Sequence, residues 1–106
     1  MPLGPDAYPR LWRVARIEFD RVRQRPVILY PEGALFINDT ARAILELCDG
    51  NRSVAEIAHV LGERYQADVR EDVAEFLEGM IARGLVLVEA PPGADPAEDR
   101  VRLAAG

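Results

Sequence analysis

VILYPEGALFINDTARAILELC, residues 27–48, changes its hydrophobic period halfway along, and that change decides the fold. Val27–Tyr30 and Ala34–Ile37 are short apolar runs rich in β-forming residues, separated by Pro31, Glu32 and Gly33. Two such runs around a Pro/Gly turn predict a hairpin. After Ile37 the period passes from two to about 3.6, the mark of a switch from sheet to helix. Ala41, Ile44, Leu45 and Cys48 then fall on one helical stripe, with Asn38 or Asp39 placed to cap it and Asp49–Gly50 to stop it.

Upstream of this stretch, Trp12 and Val14, then Ile17 and Phe19 after a register shift, alternate with polar positions and predict a half-buried strand over residues 11–20. The first ten residues hold three prolines and a glycine without periodicity, and are expected to be a flexible lead. Downstream, Ser53-Val-Ala-Glu56 is a capping box: the Ser hydroxyl can accept from the amide of residue 56 while Glu56 reaches back to that of residue 53. The second helix runs from there to about Tyr65. Asp68-Val-Arg-Glu71 repeats the device, and Val69, Val73, Phe76, Leu77, Met80 and Ile81 give a third helix its apolar face. Gly84 suits a left-handed helix end, Leu85–Glu89 reads as a last strand, and residues 90–106 as a flexible tail. The expectation is an α+β domain over residues 11–89, winged helix-turn-helix-like, in which an N-terminal three-stranded antiparallel sheet precedes a three-helix bundle.

A chain of 106 residues has room for one core. It contains 49% hydrophobic residues but no apolar run near the roughly 18 that a membrane span needs. The N-terminus has no basic stretch leading into an apolar one, so the chain reads as cytoplasmic. All thirteen basic residues are arginine. Residues 1–30 carry six arginines against three acids, while the whole chain stands at −5, so the remainder is strongly acidic.

Groups for catalysis are scarce. The single histidine, His59, lies on the second helix, and the single cysteine, Cys48, sits on the apolar stripe of the first; neither has a partner at metal-ligand spacing. Glycine-rich phosphate loops are missing, and Glu71, Asp72, Glu75 and Glu78 read as a solvated helix face. No catalytic residue, metal site or cofactor is expected. DNA binding is disfavoured too, because over the third helix Arg70 and Arg83 are outnumbered by Asp68, Glu71, Asp72, Glu75 and Glu78, which would repel phosphate.

Binding by backbone geometry remains. If Ala34, Leu35, Phe36 and Ile37 form an edge strand, their free main-chain groups can take up an extended peptide as a further strand. Leu35 and Ile37 would face one way, Ala34 and Phe36 the other. Arg70, Val73, Leu77 and Met80 of the third helix are candidates for the opposite wall, although the same stripe, Val73, Phe76 and Leu77 above all, is what a helix buries in its own core. A second copy of the chain, giving a homodimer, competes for the same edge.

Leu29-Tyr30-Pro31-Glu32-Gly33, Asn38, Cys48-Asp49-Gly50, Ser53-Val-Ala-Glu56-Ile57 and Asp72-Val-Ala-Glu-Phe76-Leu77 form a series whose order and spacing resemble the pyrroloquinoline quinone biosynthesis protein D (PqqD) family. Arg16–Asp20 resembles its first strand, and the likeness spans about residues 11–88. What the resemblance implies is a small peptide chaperone with the fold called the RiPP recognition element. Such a protein binds a ribosomally made precursor peptide and presents it to a radical SAM enzyme, which crosslinks a Glu and a Tyr of the peptide. The peptide would dock between the third strand and the third helix, here Ala34–Ile37 and Arg70–Met80. Ile37 departs from the family's usual leucine, and related domains serve other peptide pathways. Tyr30 and Glu32 are candidate partner contacts; Pro31 and Gly33 also suffice to shape the turn, with Tyr30 packed at its base.

Overall fold

The computed structural model describes residues 3–89. In chain order it has strands β1 (Tyr8–Leu11), β2 (Arg16–Asp20), β3 (Arg25–Tyr30) and β4 (Gly33–Phe36), helices α1 (Asp39–Glu46), α2 (Val54–Tyr65) and α3 (Arg70–Ala82), and strand β5 (Val86–Glu89). β2, β3 and β4 form an antiparallel sheet in that order, and β1 pairs antiparallel with β5 in a separate ribbon. An α+β fold with a three-stranded antiparallel sheet and three helices is therefore present. Strand order and arrangement differ from the expected sheet-then-bundle plan in that β5 returns after the helices to pair with β1, and the helices share one core with the sheet. No helix among the described residues is long and apolar enough to cross a membrane.

Cross-strand alternation decides which face of the sheet is covered. Ile17, Ile28 and Leu35 stand opposite one another across β2, β3 and β4, and this row faces the helices, with Ile28 wholly buried. Ile57 and Leu61 of α2, Val73 and Leu77 of α3, and Val86 of β5 complete the innermost layer. Burying each such side chain contributes roughly 1.5–3 kcal/mol.

The three helix starts are made in three different ways. Asn38 caps α1, its Oδ1 accepting from the amide of Ala41 at 2.7 Å. Ser53 and Glu56 form both halves of the capping box on α2, each at 3.1 Å. The expected box at α3 does not form. Asp68 instead accepts from the amide of Arg70 at 3.1 Å and binds the Arg70 guanidinium at 2.7 Å, which leaves Val69 at the cap position without a side-chain bond. That side-chain hydrogen bond holds the Asp68 carboxyl down at about 2. Gly84, at φ +77°, does end the turn after α3 in the left-handed region.

The N-terminal segment is the larger correction. Residues 3–10 are built into the fold: Pro9 is fully buried, the carbonyls of Ala7 and Pro5 accept from the amides of Val54 and Ala55, and the amide of Leu3 donates to Glu78 at 2.7 Å. Proline-rich composition suggested a breaker, yet β1 pairs with β5 along one edge and bridges to residues 48–50 along the other, where Pro9 takes part through its carbonyl, accepting from the amide of Gly50, and needs no amide hydrogen. The single strand expected over residues 11–20 is likewise interrupted. The amide of Ala15 donates to the carbonyl of Trp12 in a turn that ends β1 and restarts the chain as β2, where the alternation slips by one. The expected tail over residues 90–106 lies outside the described residues.

Cys48 is buried two residues beyond α1, and its thiol donates to the carbonyl of Ile44 at 3.3 Å. Burial, with a smaller contribution from Asp49, pushes it up to about 12 from an ordinary 9.0. The folded chain thus keeps this proton at pH values where the unfolded chain has lost it. Its contribution is complete below pH 9 and is lost as pH rises towards 12. In melts across that window the wild type should lose stability more steeply than Cys48→Ala; equal slopes would contradict the buried thiol. At neutral pH, Ser53→Ala should cost about 1 kcal/mol, lowering the melting midpoint by roughly 4–8 °C. Asp68→Ala, which breaks no capping box, should cost less.

Candidate functional site

The β4 strand has a neighbour on one side only, since the sheet order is β2-β3-β4. Which of its peptide groups are free follows from the register. Val27 is opposite Phe36, Ile28 opposite Leu35 and Leu29 opposite Ala34. One step beyond, the amide of Ile37 donates to the carbonyl of Pro26 at 3.0 Å, which marks the Pro26–Ile37 position as a hydrogen-bonded pair. Antiparallel ladders alternate bonded and non-bonded pairs, so Leu35 is bonded to Ile28 while Ala34 and Phe36 turn their N–H and C=O groups outward. Two residues, not the whole run from 34 to 37, offer main-chain groups at the edge.

The edge opens onto a groove of about 440 Å³ between β4 and α3, floored by Ala41 and Ile44 of α1. Leu35, Phe36 and Ile37 line one side, and Asp72, Phe76, Met80 and Arg83 line the other. The opposite edge of the sheet, β2, carries Arg16, Glu18 and Asp20, charges that discourage strand addition. A larger hollow of about 590 Å³ lies elsewhere, between α2 and the start of α3. No strand borders it, so it has no main-chain ladder to extend.

The outer face of β4 has its own chemistry. Phe36 lies under two guanidinium groups, Arg23 at 5.1 Å and Arg25 at 5.5 Å from the ring centre. Arg23 is held by the turn between β2 and β3, in which Asp20 accepts from the amides of Val22 and Arg23 at 2.9 and 3.0 Å. The amide of Arg23 is the first cause that lowers the Asp20 carboxyl.

Of the residues expected from sequence, the groove brings together Leu35, Phe36, Ile37 and Met80, with Ala34 exposed at the start of the edge. Val73 and Leu77 are 1% and 0% exposed and belong to the core, where no guest reaches them. Arg70 points elsewhere, into the larger hollow, bound to Asp68. Tyr30 is half-buried against the core, as a residue at the base of the turn would be, and Glu32 is exposed at the turn itself. His59 is a solvent-exposed helix residue, 3.3 Å from Glu63.

Asp72, Phe76 and Arg83 are the wall residues that reasoning from the apolar stripe passed over. They lie about a quarter turn around α3 from Val73 and Leu77. The available signal was that Asp72, Phe76, Met80 and Arg83 recur at helical spacing on the flank of the core stripe.

Comparison with known proteins finds relatives of this chain and of its fold. Residues 26–86 match the family described as Coenzyme PQQ synthesis protein D (PqqD). A PqqA binding protein of Methylococcus capsulatus is 41% identical over 87 residues, 81% of this chain and 94% of that one. The Bifunctional coenzyme PQQ synthesis protein C/D of Methylorubrum extorquens is 41% identical over 75 residues, 68% of this chain but 20% of that longer one. Among solved structures, the solution structure of the PqqD truncation of Methylobacterium extorquens PqqCD, described as a RiPP recognition element, superposes with a TM-score of 0.69 at 36% identity. It covers 80% of this chain and 94% of its own.

Proposed function

The chain belongs to the coenzyme PQQ synthesis protein D (PqqD) family, and from that membership we propose that it binds a PqqA-type precursor peptide as an added strand along β4. In this reading it is a non-catalytic cytoplasmic carrier, which holds the peptide extended for a radical SAM enzyme that crosslinks a Glu and a Tyr of it. The observation that carries the reading is the pair of outward-facing peptide groups, Ala34 and Phe36, beside a groove walled by a helix. The names of the relatives support the ligand. The C/D relative, in which both functions share one polypeptide, supports work beside an enzyme. Tyr30 and Glu32, at the turn before β4, are the residues assigned to contact with that enzyme.

Titrating labelled protein with PqqA peptide should shift the amides of Ala34 and Phe36 more than that of Leu35, which is engaged within the sheet. Ala34→Pro removes an outward amide and no ladder bond, so it should fold and bind about five-fold more weakly, the effect of roughly 1 kcal/mol for one hydrogen bond. Leu35→Pro breaks the ladder itself and should lower the melting midpoint. A folded Ala34→Pro with unchanged affinity refutes edge docking. Sedimentation with and without peptide tests the homodimer that would use the same edge.

A further inference from the structure

The open edge fixes where a guest strand lies; α3 is the element placed to read its side chains. Asp72, Phe76, Met80 and Arg83 all line the groove and follow one another at intervals of four, four and three residues. The stripe begins with an exposed carboxylate, passes a half-buried ring and a buried thioether, and ends in an exposed guanidinium. Neither Asp72 nor Arg83 has an ion-pair partner among the described residues, although seven other pairs form there. Two uncommitted charges of opposite sign thus bracket an apolar centre.

Dimensions match a strand. A helix rises about 1.5 Å per residue, so Asp72, Phe76 and Met80 stand about 6 Å apart, while same-face side chains of a strand recur about every 6.7 Å. A guest lying along α3 therefore presents roughly one side chain per helical turn. The long side chain of Arg83 spans the few remaining ångströms to the next.

We propose that α3 selects its guest by charge order: a basic side chain opposite Asp72, apolar side chains two and four positions along over Phe76 and Met80, and an acidic one two further on opposite Arg83. This rests on the strand-docking reading and names the peptide class it admits. The guest's other row of side chains meets the outer face of the sheet, where Arg25 and Arg23 are engaged over Phe36, so those arginines read a different set of residues. The order is spatial, set by which end of α3 each charge faces, so a guest of opposite chain direction carries it reversed in its sequence.

Three end-blocked heptapeptides, RTVTLTE, RTVTLTR and ETVTLTE, test the rule by amide-shift titration at low salt and millimolar peptide against wild type, Asp72→Arg and Arg83→Glu. Wild type should prefer RTVTLTE to each like-charged peptide by about three-fold or more. Asp72→Arg should shift the preference to ETVTLTE, and Arg83→Glu to RTVTLTR. Both positions are exposed, so melts of the variants should stay near wild type. If all three proteins rank the peptides alike, the rule is wrong. It is wrong also if wild type ignores all three while PqqA peptide still shifts Ala34 and Phe36, a result that leaves strand docking standing. Silence towards PqqA peptide as well would remove both.

Discussion

A strand bonded along one side leaves every second peptide group without a protein partner, and the rest of this fold is arranged around where that happens. In β4 the free groups are those of Ala34 and Phe36. Water satisfies them in the isolated chain, so the edge costs little to keep open and stays ready for a ladder to extend. The edge is also short. Asn38, still extended at φ −96° and ψ 176°, turns its side chain to cap α1, and the backbone becomes helical one residue later. A helix begun so soon ends the strand before it can template a long aggregate, and places Ala41 and Ile44 beneath the groove.

Helix α3 serves two environments with two flanks. Val73 and Leu77 are removed from water entirely and tie the helix to α2 and the sheet. Phe76, about a quarter turn away, and Met80, at the margin of the buried stripe, reach the groove from the edge of the same core. Rigidity on the first flank is what gives the second a defined shape, since a wall free to shift would recover little from a guest after ordering it. Close packing of the core and the shape of the groove are thus coupled through a single helix.

Much of this was legible in the sequence because local chemistry dictated it. The period change at Ile37, the Ser53–Glu56 box and the turn at Gly84 each involve residues that satisfy one another at short range. The errors came where another partner decided. Pro9 reads as a breaker until β5 is known to lie beside it, and Asp68 reads as a cap until Arg70 takes its carboxylate. At the groove, the edge strand could be read from its apolar run, whereas the choice between Val73 and Asp72 as wall residues turned on the orientation of α3. A wide apolar stripe does not specify that angle, because the boundary between its core and its flank depends on what packs against it.

The pairing of β1 with β5 sets Tyr8 beside Glu89, in the sheet that does not contain β4, while the residues before Tyr8 run past the start of α2 to Leu3 beside Glu78 of α3. A leash attached at either end would start away from β4 and leave that strand untouched. The fold can therefore be spliced before or behind another polypeptide and hold the same cargo near it, with the leash length setting the local concentration of that cargo. Portability of this kind requires no change in the groove, only a strand pair that fastens β1 to β5.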